Sequence, residues 1–246
     1  MNKNYKLTIQ YDGTRYKGWQ SQKSTDITIQ GKLNAVFSQM EGKEVELQGS
    51  GRTDAGVHAV GQVASVHLAV DMTIPQMLAY VNHYLPEDIG VVEMEEVPER
   101  FHARLSAKQK TYMYRIFNSN MPNVFERKWM YTIEEPLDLA AMKRAAACLE
   151  GTHDFAAFCT NHSKKKSTVR TIYKIDILQK GQEVDVCITG NGFLHNMVRI
   201  IVGTLVEAGM KKRKPEEIGE ILSNKKRENA GITMPAKGLT LQSVEY

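Results

Sequence analysis

Tyr5-Lys6-Leu7-Thr8-Ile9-Gln10-Tyr11-Asp12-Gly13 places an apolar side chain at every second position and then halts at a turn pair. Period two with one apolar face predicts a half-buried strand, and the neighbouring chain tells what the strand belongs to. Downstream, Ile29, Leu33, Val36, Phe37 and Met40 recur at helical spacing behind Thr28, a residue able to cap. A short strand is expected near Val45 to Leu47. Ala64, Val66 and Leu68 alternate again, Thr73 and Pro75 open a helix carrying Met77, Leu78, Val81 and Leu85, and Ile89 to Val97 reads as a strand. The order is βαββαβ.

The same order returns further on. Tyr112 to Phe117 reads as a strand, and Leu139, Met142, Ala146 and Leu149 form a helix stripe. Tyr173, Ile175 and Ile177 pair with Val184, Val186 and Ile188 across a turn at Lys180-Gly181. A long helix is expected from about Leu194 to Gly209, a smaller one near Glu216 to Leu222, and a final strand at Leu239 to Val244. Two such repeats predict an α+β fold: ferredoxin-like (split βαβ, RRM-like) halves, 1–104 and 105–246, forming one mostly antiparallel sheet with helices on one face and a catalytic cleft between the halves. The open face could receive single-stranded RNA, but neither half carries the RNP1 aromatic pattern, and Asn191-Gly192-Phe193-Leu194 is only a faint echo of it. The sheet therefore reads as scaffold.

Composition narrows the function classes. The chain has 246 residues, 42% hydrophobic and 24% charged, as in soluble globular proteins. Its formal charge of +4 is mild, but positives gather at Lys164 to Lys166, Lys211 to Lys214 and Lys225 to Arg227. Such runs are usually solvated surface and favour nucleic acid only when they border a shared cleft. Cys148, Cys159 and Cys187 show neither a disulfide framework nor zinc spacing, which suits a reducing cytosol. No leader-like stretch and no run of eighteen apolar residues occurs, so a cytoplasmic protein with no membrane segment is expected.

The chemistry concentrates in Gly49-Ser50-Gly51-Arg52-Thr53-Asp54-Ala55-Gly56-Val57-His58-Ala59. Three glycines around one carboxylate suit a loop that another molecule approaches closely, although a polar turn with a capping Asp54 would read the same way. On the apolar helix at Leu194 to Gly209, His195 and Arg199 stand four apart, and a guanidinium there needs an acid or phosphate partner, such as Asp54, or else helix-end carbonyls. Tyr112 and Tyr114 share one strand face beside Lys108 and Lys110. They are either core or a platform on which a base can stack. Arg100-Phe101-His102-Ala103-Arg104 is either a linker or a cleft floor. No His-Glu-x-x-His, no Ser-His-Asp arrangement and no P-loop is legible.

Gly51 to Ala59 resembles the signature of the tRNA pseudouridine synthase A family. Tyr11-Asp12-Gly13, Gly18-Trp19-Gln20, Phe101-His102-Ala103-Arg104, Tyr112-x-Tyr114-Arg115 and His195-Asn196-Met197-Val198-Arg199 resemble further family motifs in the family's order, so the resemblance spans nearly the whole chain. It implies a cytosolic, cofactor-free isomerase that turns uridine into pseudouridine in the anticodon stem-loop of tRNA, working as a homodimer that holds one tRNA. It also implies roles at matching positions: Asp54 as nucleophile, Arg199 as its partner, Tyr112 over the uracil and a candidate for its C5 proton, Arg52 in place of the flipped base, and His58 and Leu239 as further substrate-binding residues. Thr240 departs from the apolar residue common at that place in the family. Two other classes stay open: a catalytically silent RNA-binding module, or a metal-dependent hydrolase built on Asp54 and His58.

Overall fold

The computed structural model describes residues 2–160 and 167–246, so the run Lys164 to Lys166 lies outside the described residues. The chain forms two compact units, Met1–Lys108 with Thr240–Tyr246, and Gln109–Leu239. Each is mixed α+β with a mostly antiparallel sheet, in keeping with the split-βαβ expectation.

In the first unit, strand β1 (Lys3–Tyr11) is followed by helix α1 (Ile29–Glu41), a two-residue strand β2 (Gln48–Gly49), strand β3 (His58–Leu68), helix α2 (Ile74–Tyr84) and strand β4 (Ile89–Val97). The middle strand is β1, antiparallel to β3 through Leu7 opposite Ala64 and to β4 through Leu7 opposite Met94. Tyr5, Leu7, Ile9 and Tyr11 are its buried side. On its other side Lys6 pairs with Glu95 at 2.7 Å and Thr8 donates to Glu93 at 3.0 Å, while Lys3 at the exposed start of the strand pairs with Glu96 at 2.7 Å. Exposed pairs of this kind contribute about 0–1 kcal/mol each, and a row of glutamates offers no track for a polyanion.

Helix α1 begins where expected, with Thr28 Oγ1 accepting from the Gly31 amide at 3.2 Å, and stops at Gly42, whose φ of 74° is left-handed. It buries Ile29, Leu33, Val36 and Phe37, each apolar side chain stabilising the unit by roughly 1.5–3 kcal/mol. The strand expected at Val45 to Leu47 is not formed. Ser38 Oγ accepts from the Val45 amide at 2.9 Å and Asn34 Oδ1 from the Leu47 amide at 3.0 Å, so helix side chains take the donors a ladder would have used. Pairing begins only with Gln48 opposite Ser65. Along the same edge of β3, nearer its start, Thr240 and Leu241 run parallel to His58 and Ala59.

The second unit is built on strands β5 (Gln109–Asn118), β6 (Tyr131–Ile133), β7 (Gly151–Asp154), β8 (Val169–Lys180) and β9 (Glu183–Gly190), with helices α3 (Leu139–Ala147), α4 (Met197–Gly209) and α5 (Ile218–Asn224). The sheet runs β5-β9-β8-β7, and β6 joins β5 in parallel. The hairpin expected about Lys180-Gly181 is present, with Ile175 opposite Ile188 and Ile177 opposite Val186. Helix α4 packs on α3 and is buried nearly all round, as its composition requires. No helix among the described residues is long and apolar enough to cross a membrane.

Candidate catalytic loop and its supports

Residues 50–57 leave the sheet between β2 and β3, and their backbone is tied down before and after Asp54. The Ser50 amide donates to Val63 O at 2.7 Å, the Trp19 amide to Thr53 O at 3.0 Å, and the Val57 amide to Asp54 O at 3.1 Å. Thr53 Oγ1 meets Tyr11 Oη at 2.8 Å in the buried interior, where Gln62 Nε2 also reaches Tyr11 Oη at 3.4 Å. Burial pushes the Tyr11 phenol up to about 12, so it remains a neutral hydroxyl. Asp54 itself is half-buried and Arg52 exposed.

Close backbone approach explains two glycines. A Cβ on Gly49 would lie 2.6 Å from the Trp19 indole. Gly18, at φ +95°, passes so near the loop that a Cβ there would sit 2.8 Å from Thr53 O. Turn 12–14 supports the far end, since the Gly13 amide donates to His58 Nδ1 at 3.0 Å. Asp12 Oδ1 lies 3.1 Å from that same nitrogen and also accepts from the Thr14 amide at 2.9 Å. His58 is 3% exposed.

Arg52 is held through Nε, which donates to Gln20 Oε1 at 2.9 Å. Gln20 Nε2 in turn donates to Gln30 Oε1 at 2.7 Å, and Gln30 Nε2 donates to Leu47 O at 2.8 Å. Neither Gln30 nor Gln62 figures in the sequence reading. Both carried a usable signal: Gln30 stands on the Leu33–Phe37 stripe of α1 and Gln62 on the Ala64–Val66 face of β3, where a polar side chain must find polar partners.

In the second unit Tyr112 lies on β5 and is 9% exposed, its ring edge-on to Phe193 with centroids 5.2 Å apart. Tyr114, two residues on, shares the buried face and donates to Pro235 O at 2.8 Å. Burial raises its phenol far above the usual range, offset in part by the nearby Arg199. Arg199 is half-buried in the first turn of α4. Its Nε donates to Met234 O at 2.6 Å and Nη1 to Asn196 Oδ1 at 2.8 Å, while its own carbonyl accepts from the Met234 amide at 3.2 Å. Leu239 is 5% exposed just past Gly238, where a Cβ would meet the Tyr114 ring at 2.6 Å.

One expectation about the second unit needs correction. The long helix starts at Met197, not Leu194, because Asn196 adopts φ 60° and breaks the helical path. His195 therefore precedes the helix, exposed, with Nδ1 2.7 Å from Thr160 Oγ1, and shares no helix face with Arg199. Of the two basic runs within the described residues, Lys211, Lys212, Lys214, Lys225 and Lys226 are exposed, and cations of both runs have partners within the chain. Arg213 Nη2 bonds Glu207 Oε2 at 2.9 Å, Lys225 pairs with Asp154 at 2.8 Å, and Arg227 bonds Gly231 O at 2.9 Å and Thr233 Oγ1 at 3.0 Å. Among the described residues no group of three or more His, Cys, Asp or Glu is placed to hold a metal ion.

A family model described as tRNA pseudouridine synthase matches residues 7–105 and 145–246. The tRNA pseudouridine synthase A 2 of Bacillus cereus is 48% identical over 243 residues, which is 99% of this chain and 99% of that protein. The tRNA pseudouridine synthase A of a Bacillus species, strain KSM-64, gives the same identity and coverage. A tRNA pseudouridine synthase A 1 from Clostridium tetani is 48% identical over 99% of this chain and 100% of its own length. The chain belongs to the tRNA pseudouridine synthase family.

Proposed function

We propose that the chain is an isomerase converting uridine to pseudouridine in the anticodon stem-loop of tRNA, with Asp54 as nucleophile. The observation that carries this reading is a half-buried aspartate on a loop anchored before and after it, in a chain 48% identical over 99% of its length to proteins named tRNA pseudouridine synthase A. The chemistry needs little else. The N1–C1′ bond breaks, the uracil turns, a C5–C1′ bond forms, and the proton lost from C5 is balanced by one gained at N1. Substrate and product are isomers, so the reaction consumes no co-reactant.

A carboxylate can act as nucleophile toward the sugar or the ring, and a guanidinium close to a carboxylate favours its charged form. Arg199 takes that partner role in this proposal. The target nucleotide must leave its stack at a cost of a few kcal/mol, offset by contacts to the extruded base and the phosphates. Tyr112 stacks on the uracil and is a candidate for the C5 proton, Arg52 occupies the vacated place, and His58 and Leu239 are further substrate-binding residues. The working form in this reading is a cytoplasmic homodimer holding one tRNA.

The test is Asp54→Ala assayed for pseudouridine in a tRNA transcript. Product formation should fall by at least about 10⁴-fold while tRNA binding persists. Unchanged product would overturn the assignment of Asp54, and a wild-type protein that binds tRNA but forms no pseudouridine would leave a silent RNA-binding module. Mapping pseudouridines in RNA from cells lacking the protein identifies the substrate.

A further inference from the structure

Gln30 is 2% exposed in the first turn of α1, and its amide orientation is determined by backbone. Oε1 accepts from the Ser21 amide at 2.8 Å, a group that can only donate. Nε2 donates to Leu47 O at 2.8 Å, a group that can only accept. The same Oε1 faces Gln20, which must therefore present its NH₂, at 2.7 Å. With that end committed, the carbonyl end of Gln20 is turned to Arg52, and it accepts from Arg52 Nε at 2.9 Å. Two backbone groups thus set the direction of two amides and, through them, the plane of an exposed guanidinium. The start of the relay is itself braced, since the Gln30 amide donates to Trp19 O at 2.9 Å.

We propose that Gln20 and Gln30 are positioning residues for Arg52, holding its guanidinium in the orientation that enters the base stack when the target nucleotide leaves. The inference rests on the role given to Arg52 above. A free arginine side chain samples many rotamers, and a planar guanidinium stacks only in a narrow range of orientations. Without the anchor an exposed Arg52 would pay that ordering cost during flipping. With it, the cost is met on folding. The relay acts through the Arg52 guanidinium, so its effect falls on the fraction of bound tRNA in the flipped state. That fraction lowers the single-turnover rate more than it changes the concentration of tRNA needed for half-saturation.

The experiment compares wild type, Gln20→Ala, Arg52→Ala and the double variant with a tRNA transcript carrying 2-aminopurine beside the target uridine. Fluorescence reports unstacking, and single-turnover formation of pseudouridine reports rate. Gln20→Ala should reduce both the fluorescence rise and the rate, by roughly three- to tenfold, the range expected from losing one hydrogen bond to a charged group. Half-saturation should shift less than twofold, and the melting temperature should stay near the wild-type value. The double variant should match Arg52→Ala alone, because Gln20 acts only through Arg52. If Arg52→Ala is impaired while Gln20→Ala behaves as wild type, or if the two losses multiply in the double variant, the positioning role is overturned and the role of Arg52 stands. If Arg52→Ala itself is indistinguishable from wild type, the role of Arg52 is overturned and the relay's function with it.

Discussion

Asp54 rides on irregular backbone gripped by polar side chains, whereas Arg199 rides on a helix gripped by apolar ones. In the first unit Tyr11, Thr53, Gln62 and the Gly13 amide hold the loop from beneath, and glycines let Trp19 and the Thr53 carbonyl come close. In the second, Met197, Val198, Ile200, Ile201 and Val202 bury the first turns of α4, and Arg199 is the half-buried exception, tied to Met234 and Asn196. Polar anchoring fixes an irregular path that no repeating pattern could specify. Apolar anchoring fixes a regular element and lets one side chain be aimed by its terminus. A defect should therefore spread differently in the two cases.

The largest contrast is expected from Arg199→Ala, which removes a cation without disturbing the burial of α4. Pseudouridine formation should fall about 10²–10³-fold, the range for deleting one preorganised electrostatic contact, while filter binding retains most of the tRNA affinity. Survival of activity would mean that Asp54 works without this partner. Gly49→Ala should instead act through the fold. Its Cβ would press to within 2.6 Å of the Trp19 ring, so thermal unfolding should show a loss of about 1–3 kcal/mol and activity should fall with it.

Tyr11→Phe leaves Thr53 Oγ1 without its 2.8 Å partner and should cost about 1 kcal/mol. Because burial holds the wild-type phenol at about 12, this difference should persist up to mildly alkaline pH, measurable by denaturant titration. The smallest effect is expected in the second unit. Asp185 is buried on β9, and burial first, then Glu183 beside it, push its carboxyl up. A carboxyl whose folded value exceeds its unfolded one is favoured when protonated. That contribution is complete below the unfolded value and is lost as pH rises through the folded one. Asp185→Asn should therefore raise the melting temperature by about 2–4 °C near neutrality and by less in acid.

Regular elements were legible wherever one apolar period ran unbroken. Strand β1, helix α1 and the β8–β9 hairpin follow from spacing and turn residues alone, and the Thr28 cap marks where α1 begins. Failures came where side chains overrode the pattern. Val45 and Leu47 look like a strand, but Ser38 and Asn34 take their amides. Leu194 falls in helical spacing with Met197 and Val198, yet Asn196 turns left-handed and delays the helix. For the site, the glycine spacing drew attention to Asp54, and resemblance supplied its proposed role. The glutamine supports stayed hidden because each partner is remote in sequence, Gln30 lying ten residues from Gln20 and Gln20 thirty-two from Arg52.

Residues 240–246 belong with the first unit, where Thr240 and Leu241 lie parallel to His58 and Ala59. Gly61 passes so close that a Cβ there would meet Gln242 O at 2.2 Å, the Lys108 amide donates to Glu245 O at 2.8 Å, and Tyr246 Oη donates to Ala103 O at 2.8 Å. The strand leaving the Asp54 loop thus acquires its last neighbour only after the whole second unit has been synthesised. On the ribosome the first unit emerges early and waits with the start of β3 uncovered on one edge. Completion of the sheet at the start of β3, rather than anchoring of the loop, is the late event in the life of the nascent chain.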